Sequence, residues 1–198
     1  MRSKICSLLL PLFLIPALSF CSQLASAGFY AGASAGQSRA DVDCDLDVAC
    51  NADDTGRAMK AYIGNRFSPN LGAEFGYVDL GKFKISGADS VLGTANGSIK
   101  AKGFLAAGTG TLPLGTFDLF GKVGLFRWDA DVDVSSSVGS GSNSASGTDP
   151  MFGVGAAFNL GQNLALRAEW ERFKDIGDEN STGQSDADMI SVGLAFKF

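Results

Sequence analysis

The stretch Leu164-Ala165-Leu166-Arg167-Ala168-Glu169-Trp170-Glu171 decides the fold. Leu164, Leu166, Ala168 and Trp170 alternate with Arg167, Glu169 and Glu171. A period of two is that of a strand with two unlike faces.

The same pattern recurs outward from it. Met59, Ala61, Ile63 and Phe67 are interleaved with Lys60, Gly64 and Arg66, with Tyr62 on the polar face. Leu71, Ala73, Phe75 and Tyr77 are interleaved with Gly72, Glu74 and Gly76. Phe117, Leu119, Val123 and Leu125 are interleaved with Asp118, Lys122 and Gly124. Eight such segments are predicted, at 28–37, 56–67, 71–81, 98–112, 116–129, 151–160, 164–174 and 187–198. Tight turns at 68–70, 113–115 and 161–163 alternate with long polar connections at 38–55, 82–97, 130–150 and 175–186. A short–long rhythm between an even number of strands predicts an all-β, eight-stranded antiparallel up-and-down barrel, and in outer-membrane barrels the short side is periplasmic.

Alternation alone does not say which face is dry. The polar face carries Lys60, Glu74, Lys122, Arg167 and Glu169 together with Gly32, Ser34, Gly64, Gly72, Gly76, Gly124, Gly153 and Gly193, a set expected to form no large apolar core. The other face carries Phe29, Ile63, Phe75, Phe117, Leu119, Val123, Phe152, Val154, Phe158, Leu166 and Trp170. Such a band exceeds the apolar patches usual on soluble monomers and is predicted to face lipid. The last segment repeats the pattern: Ile190, Val192, Leu194, Phe196 and Phe198 alternate with Ser191, Gly193, Ala195 and Lys197. Pairing of strand eight with strand one leaves no open edge, as hydrocarbon demands.

Composition narrows the function. Of 198 residues 45% are hydrophobic, 19% are charged and 26 are glycine, too apolar for a disordered chain and too glycine-rich for a helical bundle. The formal charge of -5, with no basic tract, argues against a nucleic-acid partner. No histidine is present, which removes His-dependent nucleophilic and metal mechanisms.

Arg2 and Lys4 precede an apolar run over 5–20, and Ala25-Ser26-Ala27 offers small residues for cleavage, so 1–27 is expected to be a signal peptide and 28–198 the exported barrel. Bulky Phe20 before Cys21 argues against lipidation. Cleavage removes Arg2 and Lys4, shifting the charge from -5 to -7, and leaves Cys44 and Cys50, expected to pair as a disulfide in an oxidising compartment.

The segments 70–81, 108–114, 122–128 and 166–172 resemble the outer membrane protein A-like transmembrane domain, over nearly all of the exported chain. The resemblance implies an eight-stranded barrel in the outer membrane of a Gram-negative-type bacterium, serving envelope integrity, adhesion or narrow solute passage. It also implies an interior charge network at Glu74, Lys122, Arg167 and Glu169, to which the alternation adds Lys60. The terminal strand Ile190, Val192, Leu194, Phe196 and Phe198 resembles the signal read by the barrel assembly machinery. Many members continue into a peptidoglycan-binding domain. The sequence ends at Phe198, and wall anchoring is not expected of it.

The remaining motifs carry little chemistry. Glu169 and Glu171 share a face, but Arg167 beside them points to ion pairing rather than a catalytic pair. Asp41, Asp43, Asp45 and Asp47 lack the Gly and Glu positions of a calcium loop, so no metal is expected. The serine- and glycine-rich residues 135–144 read as a mobile surface loop. The sequence thus predicts a non-enzymatic structural barrel without cofactor, embedded in outer-membrane lipid, with weak porin-like passage as an added expectation. Its alternatives are a surface adhesin or receptor whose long loops bind an unidentified ligand, and a soluble exported carrier.

Overall fold

The computed structural model describes residues 28–40, 50–53, 55–89, 93–136, 139–178 and 183–198; the expected signal peptide 1–27, Cys44, the side chain of Cys50 and the aspartates at 41–47 lie outside the described residues. Its elements are β1 (Phe29–Ala40), β2 (Cys50–Asp53), β3 (Thr55–Arg66), β4 (Leu71–Asp89), β5 (Gly93–Leu114), β6 (Phe117–Ser136), β7 (Gly139–Asn159), β8 (Leu164–Asp178) and β9 (Gly183–Lys197). Every neighbouring pair is antiparallel. β1 pairs with both β3 and β9, while β4 pairs with β3 and β5. Eight strands therefore close into a barrel, and the short β2 extends one wall by pairing with β4.

Each tight turn is closed by local chemistry. Ser68 Oγ accepts the Leu71 amide at 3.0 Å, and the Phe67 amide reaches the Leu71 carbonyl at 3.0 Å. Gly115 takes φ 75°, open to glycine without strain. Asn163 Nδ2 donates to the Lys197 carbonyl at 2.8 Å, tying the third turn to β9.

Among the described residues, much of the expected long loops is paired strand. Strand pairing continues through 82–89 with 93–100, and through 129–136 with 139–146, so the serine-rich stretch is part of a paired hairpin. Its polar, small residues join the β6–β7 ladder through their backbone groups, and hydropathy gives no warning of this. β4 changes phase between Asp79 and Lys82, where Gly81 has φ 84°, so Leu80 and Phe83 both point inward.

Alternation is realised as an inside-out distribution. Ile63, Phe75, Leu119, Val123, Val154 and Leu166 face outward, Val123 being 69% exposed, whereas Lys60, Glu74, Lys122, Arg167 and Glu169 are buried inside. On β9 and at the residue after it the outward apolar positions run over 190–198, nine residues, within the roughly 9–11 that a tilted strand needs to cross hydrocarbon. Pairs such as Phe75–Phe104 (5.9 Å between centroids) and Phe117–Phe158 (4.8 Å) tile the band across strands. The soluble-carrier reading fails here, because it requires these side chains in the centre.

The inward face is more apolar towards the hairpin end than its glycines imply. Val78, Leu80, Phe83, Leu105, Phe126, Trp128, Met151, Phe173 and Met189 form one buried cluster there, with Phe126 and Phe173 at 4.6 Å between ring centroids. Glycines make room for this packing. Tyr30 lies opposite Gly64, Tyr62 opposite Gly32 and Phe120 opposite Gly155, and a Cβ on Gly64 would come within 2.1 Å of the Tyr30 ring. Each ring occupies the volume that its cross-strand glycine leaves vacant.

Candidate functional site

A charged layer crosses the barrel beneath the apolar cluster of the hairpin end. The period of two on β8 turns Arg167, Glu169 and Glu171 inward in succession, and β3, β4 and β6 contribute Lys60, Glu74 and Lys122. Lys60 Nζ lies 2.8 Å from Glu169 Oε2 and 2.7 Å from Glu171 Oε2. Lys122 Nζ lies 2.9 Å from Glu74 Oε1, 2.9 Å from Glu171 Oε1 and 2.5 Å from Glu169 Oε2. Arg167 spans two carboxylates, with Nη1 3.0 Å from Glu74 Oε2 and Nε 3.1 Å from Glu169 Oε1.

Three cations thus meet three carboxylates with almost no exposed side-chain surface, at most 6% for Arg167. Desolvating isolated charges is costly, and mutual pairing with zero net charge is what offsets it. Rings supply a further contact: the Arg167 guanidinium lies 4.3 Å from the Phe120 centroid and 4.6 Å from that of Tyr62. Tyr30 OH donates to Glu74 Oε2 at 3.3 Å.

Below this layer Asp118 accepts from Arg66 Nη2 at 3.0 Å, and Lys197 Nζ donates to Asn159 Oδ1 at 2.5 Å. The cavity bounded by Tyr30, Thr109, Phe120 and Arg167 holds roughly 30 Å³, space for a water or two. Above the layer stands the Phe126–Phe173 cluster.

The structure therefore brings Lys60, Glu74, Lys122, Arg167 and Glu169 together and adds Glu171, which the sequence reading weighed only as a partner of Glu169. Its signal was present, since the period of two running from Arg167 reaches position 171. Ile190, Val192, Leu194, Phe196 and Phe198 lie elsewhere, outward on β9 and beyond its end, between 48% and 66% exposed. The Cys44–Cys50 pairing falls outside the described residues.

A closed eight-stranded barrel with an apolar exterior, a charged interior and tight turns at one end defines the class of small outer-membrane β-barrels. The chain belongs to the OmpA-like transmembrane domain family, which it matches over residues 24–198. It is 31% identical over 140 residues to outer membrane protein A of Escherichia coli O157:H7 and 30% identical over 142 residues to that of Escherichia fergusonii, in each case over 70% of this chain. It spans only 38% and 39% of the length of those two relatives. Similar folds are found in Neisserial surface protein A (TM-score 0.60, 18% identity, covering 87% of this chain and 98% of that one) and in Ail, the attachment invasion locus protein of Yersinia pestis (TM-score 0.58, 19% identity, covering 87% and 99%). The protein is an outer-membrane barrel of Gram-negative type.

Proposed function

We propose that the protein is a non-catalytic structural element of the outer membrane whose lumen is sealed in its resting state. The observation that carries this reading is the stacking of two barriers, the charge-neutral layer of Lys60, Glu74, Lys122, Arg167, Glu169 and Glu171 beneath the Phe126–Phe173 cluster. Eight strands enclose little beyond their own side chains, and here those side chains meet. An ion entering from the turn end would have to displace internal pairs and then pass an apolar constriction.

The test pairs conductance with complementation. Purified barrel in planar bilayers should give no sustained current steps, and loss of the protein should sensitise cells to detergent, with the wild type restoring resistance. Reproducible steps from the wild-type barrel, or unaltered detergent tolerance without it, would overturn the proposal.

A further inference from the structure

Between the charged layer and the tight turns, among the described residues, the charged side chains that face the lumen are Arg66, Asp118 and Lys197. The phase of each strand sets them there. Arg66 follows Tyr62 and Gly64 on β3, Asp118 precedes Phe120 and Lys122 on β6, and Lys197 follows Ser191 and Ala195 on β9 and the chain beyond it turns away.

Two cations therefore share one carboxylate, and they share it unequally. Asp118 Oδ2 lies 3.0 Å from Arg66 Nη2 but 4.0 Å from Lys197 Nζ, and it also accepts from Asn159 Nδ2 at 3.4 Å. The close partner of Lys197 Nζ is instead a neutral oxygen, Asn159 Oδ1, at 2.5 Å. The layer above supplies no compensation, because its own three cations and three carboxylates cancel. The vestibule is left with an excess of positive charge on two partly buried side chains, 32% exposed for Arg66 and 29% for Lys197.

Room for a counter-ion lies between them. The cavity of roughly 30 Å³ is lined by both cations, with Arg167 above it and Thr109 and Thr111 on one wall. Phe120 and three alanines make the remaining wall apolar, and attraction to the excess charge is stronger in such a pocket than in water. Lysine, arginine and threonine offer N–H and O–H donors, which an anion stripped of water requires. A space of this size takes one monatomic ion and is too small for a tetrahedral oxyanion.

We propose that the turn-end vestibule binds a single monatomic anion of chloride size, held by Lys197 and Arg66 beneath Arg167. The ion links β9 to β3 across β1, which pairs with both, and so fastens the seam at which the barrel closes. A cation is rejected by the same charge excess, and a water molecule leaves that excess uncompensated. Occupancy requires the layer above neither to open nor to stay shut, so the inference stands apart from the sealed structural role.

The test uses the full barrel in zwitterionic bilayer nanodiscs at constant ionic strength, with sodium gluconate replaced stepwise by sodium chloride. The side-chain N–H signals of Lys197 and Arg66 should shift along one saturating curve, and those of Arg39 and Lys82, exposed cations at the hairpin end, should not. Bromide should reproduce the curve and sulfate should not. Lys197→Gln should weaken chloride binding about tenfold, read at Arg66, whereas Asp118→Asn, which removes the competing carboxylate, should tighten it about threefold. Opposite effects of two neighbouring substitutions separate a site from a loss of fold, and the wild-type titration is decisive by itself. No saturating shift in the wild type, equal shifts at Arg39 and Lys82, an equal response to sulfate, unchanged affinity in Lys197→Gln, or weaker binding in Asp118→Asn would overturn the proposal.

Discussion

Glu74 is one of two carboxylates shared by Lys122 and Arg167, and removing it leaves the layer one buried negative charge short. Glu74→Ala should therefore destabilise the barrel by about 3–5 kcal/mol, the usual cost of breaking a buried ion pair from one side. Urea unfolding in lipid vesicles measures it, and a change below about 1 kcal/mol would show the layer to be energetically idle. At this scale the sequence was legible wherever a period of two could be followed. Glu171 sat on that period and needed only the partner strands to become a member of the network. The glycine seats were not legible, because the ring that fills Gly64 comes from Tyr30 on another strand. Nothing in the residues around position 64 names that partner.

The existence of the eight barrel strands followed from alternation; their length, and the short β2 within the expected connection 38–55, did not. The membrane-crossing parts were predicted closely because lipid forces apolar residues onto one face. Beyond the band both faces of β7 are polar or small over 141–148, as in Ser144 and Ala145, and periodicity has nothing to register there. The β8–β9 hairpin shows what replaces apolar packing. Burial works to raise the Asp186 carboxyl, but the hydrogen bonds from Lys174 and the Asp175 amide prevail and hold it below the ordinary carboxylate range. A depressed folded value means the stabilisation is complete above the ordinary value of about 3.9 and is lost as pH falls through the folded value beneath it. Amide protection at Ile176 and Ser185, which pair across this hairpin, should fall on acidification to about pH 3 and stay constant above about pH 5. Asp186→Asn should abolish that pH dependence; an unchanged acid response in the variant would assign it to other groups.

The whole molecule is organised by solvent. Outside the hydrocarbon band, Arg39, Arg57, Asp79, Lys102, Arg127, Arg172 and Asp188 are the first charged outward positions towards the hairpin end on their strands. Inside, charge is neutralised by charge, and apolar side chains close the hairpin end. Closure was foreseeable from the even strand count and from the absence of hydrogen-bond partners in lipid. The apolar cluster at Phe126 and Phe173 was not, because the phase change at Gly81 and the extra strand length bring its members together only in three dimensions. The two tryptophans provide the most direct test of the inside-out arrangement, since Trp170 packs on Phe152 on the outer face and Trp128 is 2% exposed within the barrel. In bilayers containing brominated lipid, the Trp128→Phe variant, which retains Trp170, should be strongly quenched, and the Trp170→Phe variant, which retains Trp128, should be nearly unaffected. Equal quenching of the two, or stronger quenching of Trp128, would contradict the account.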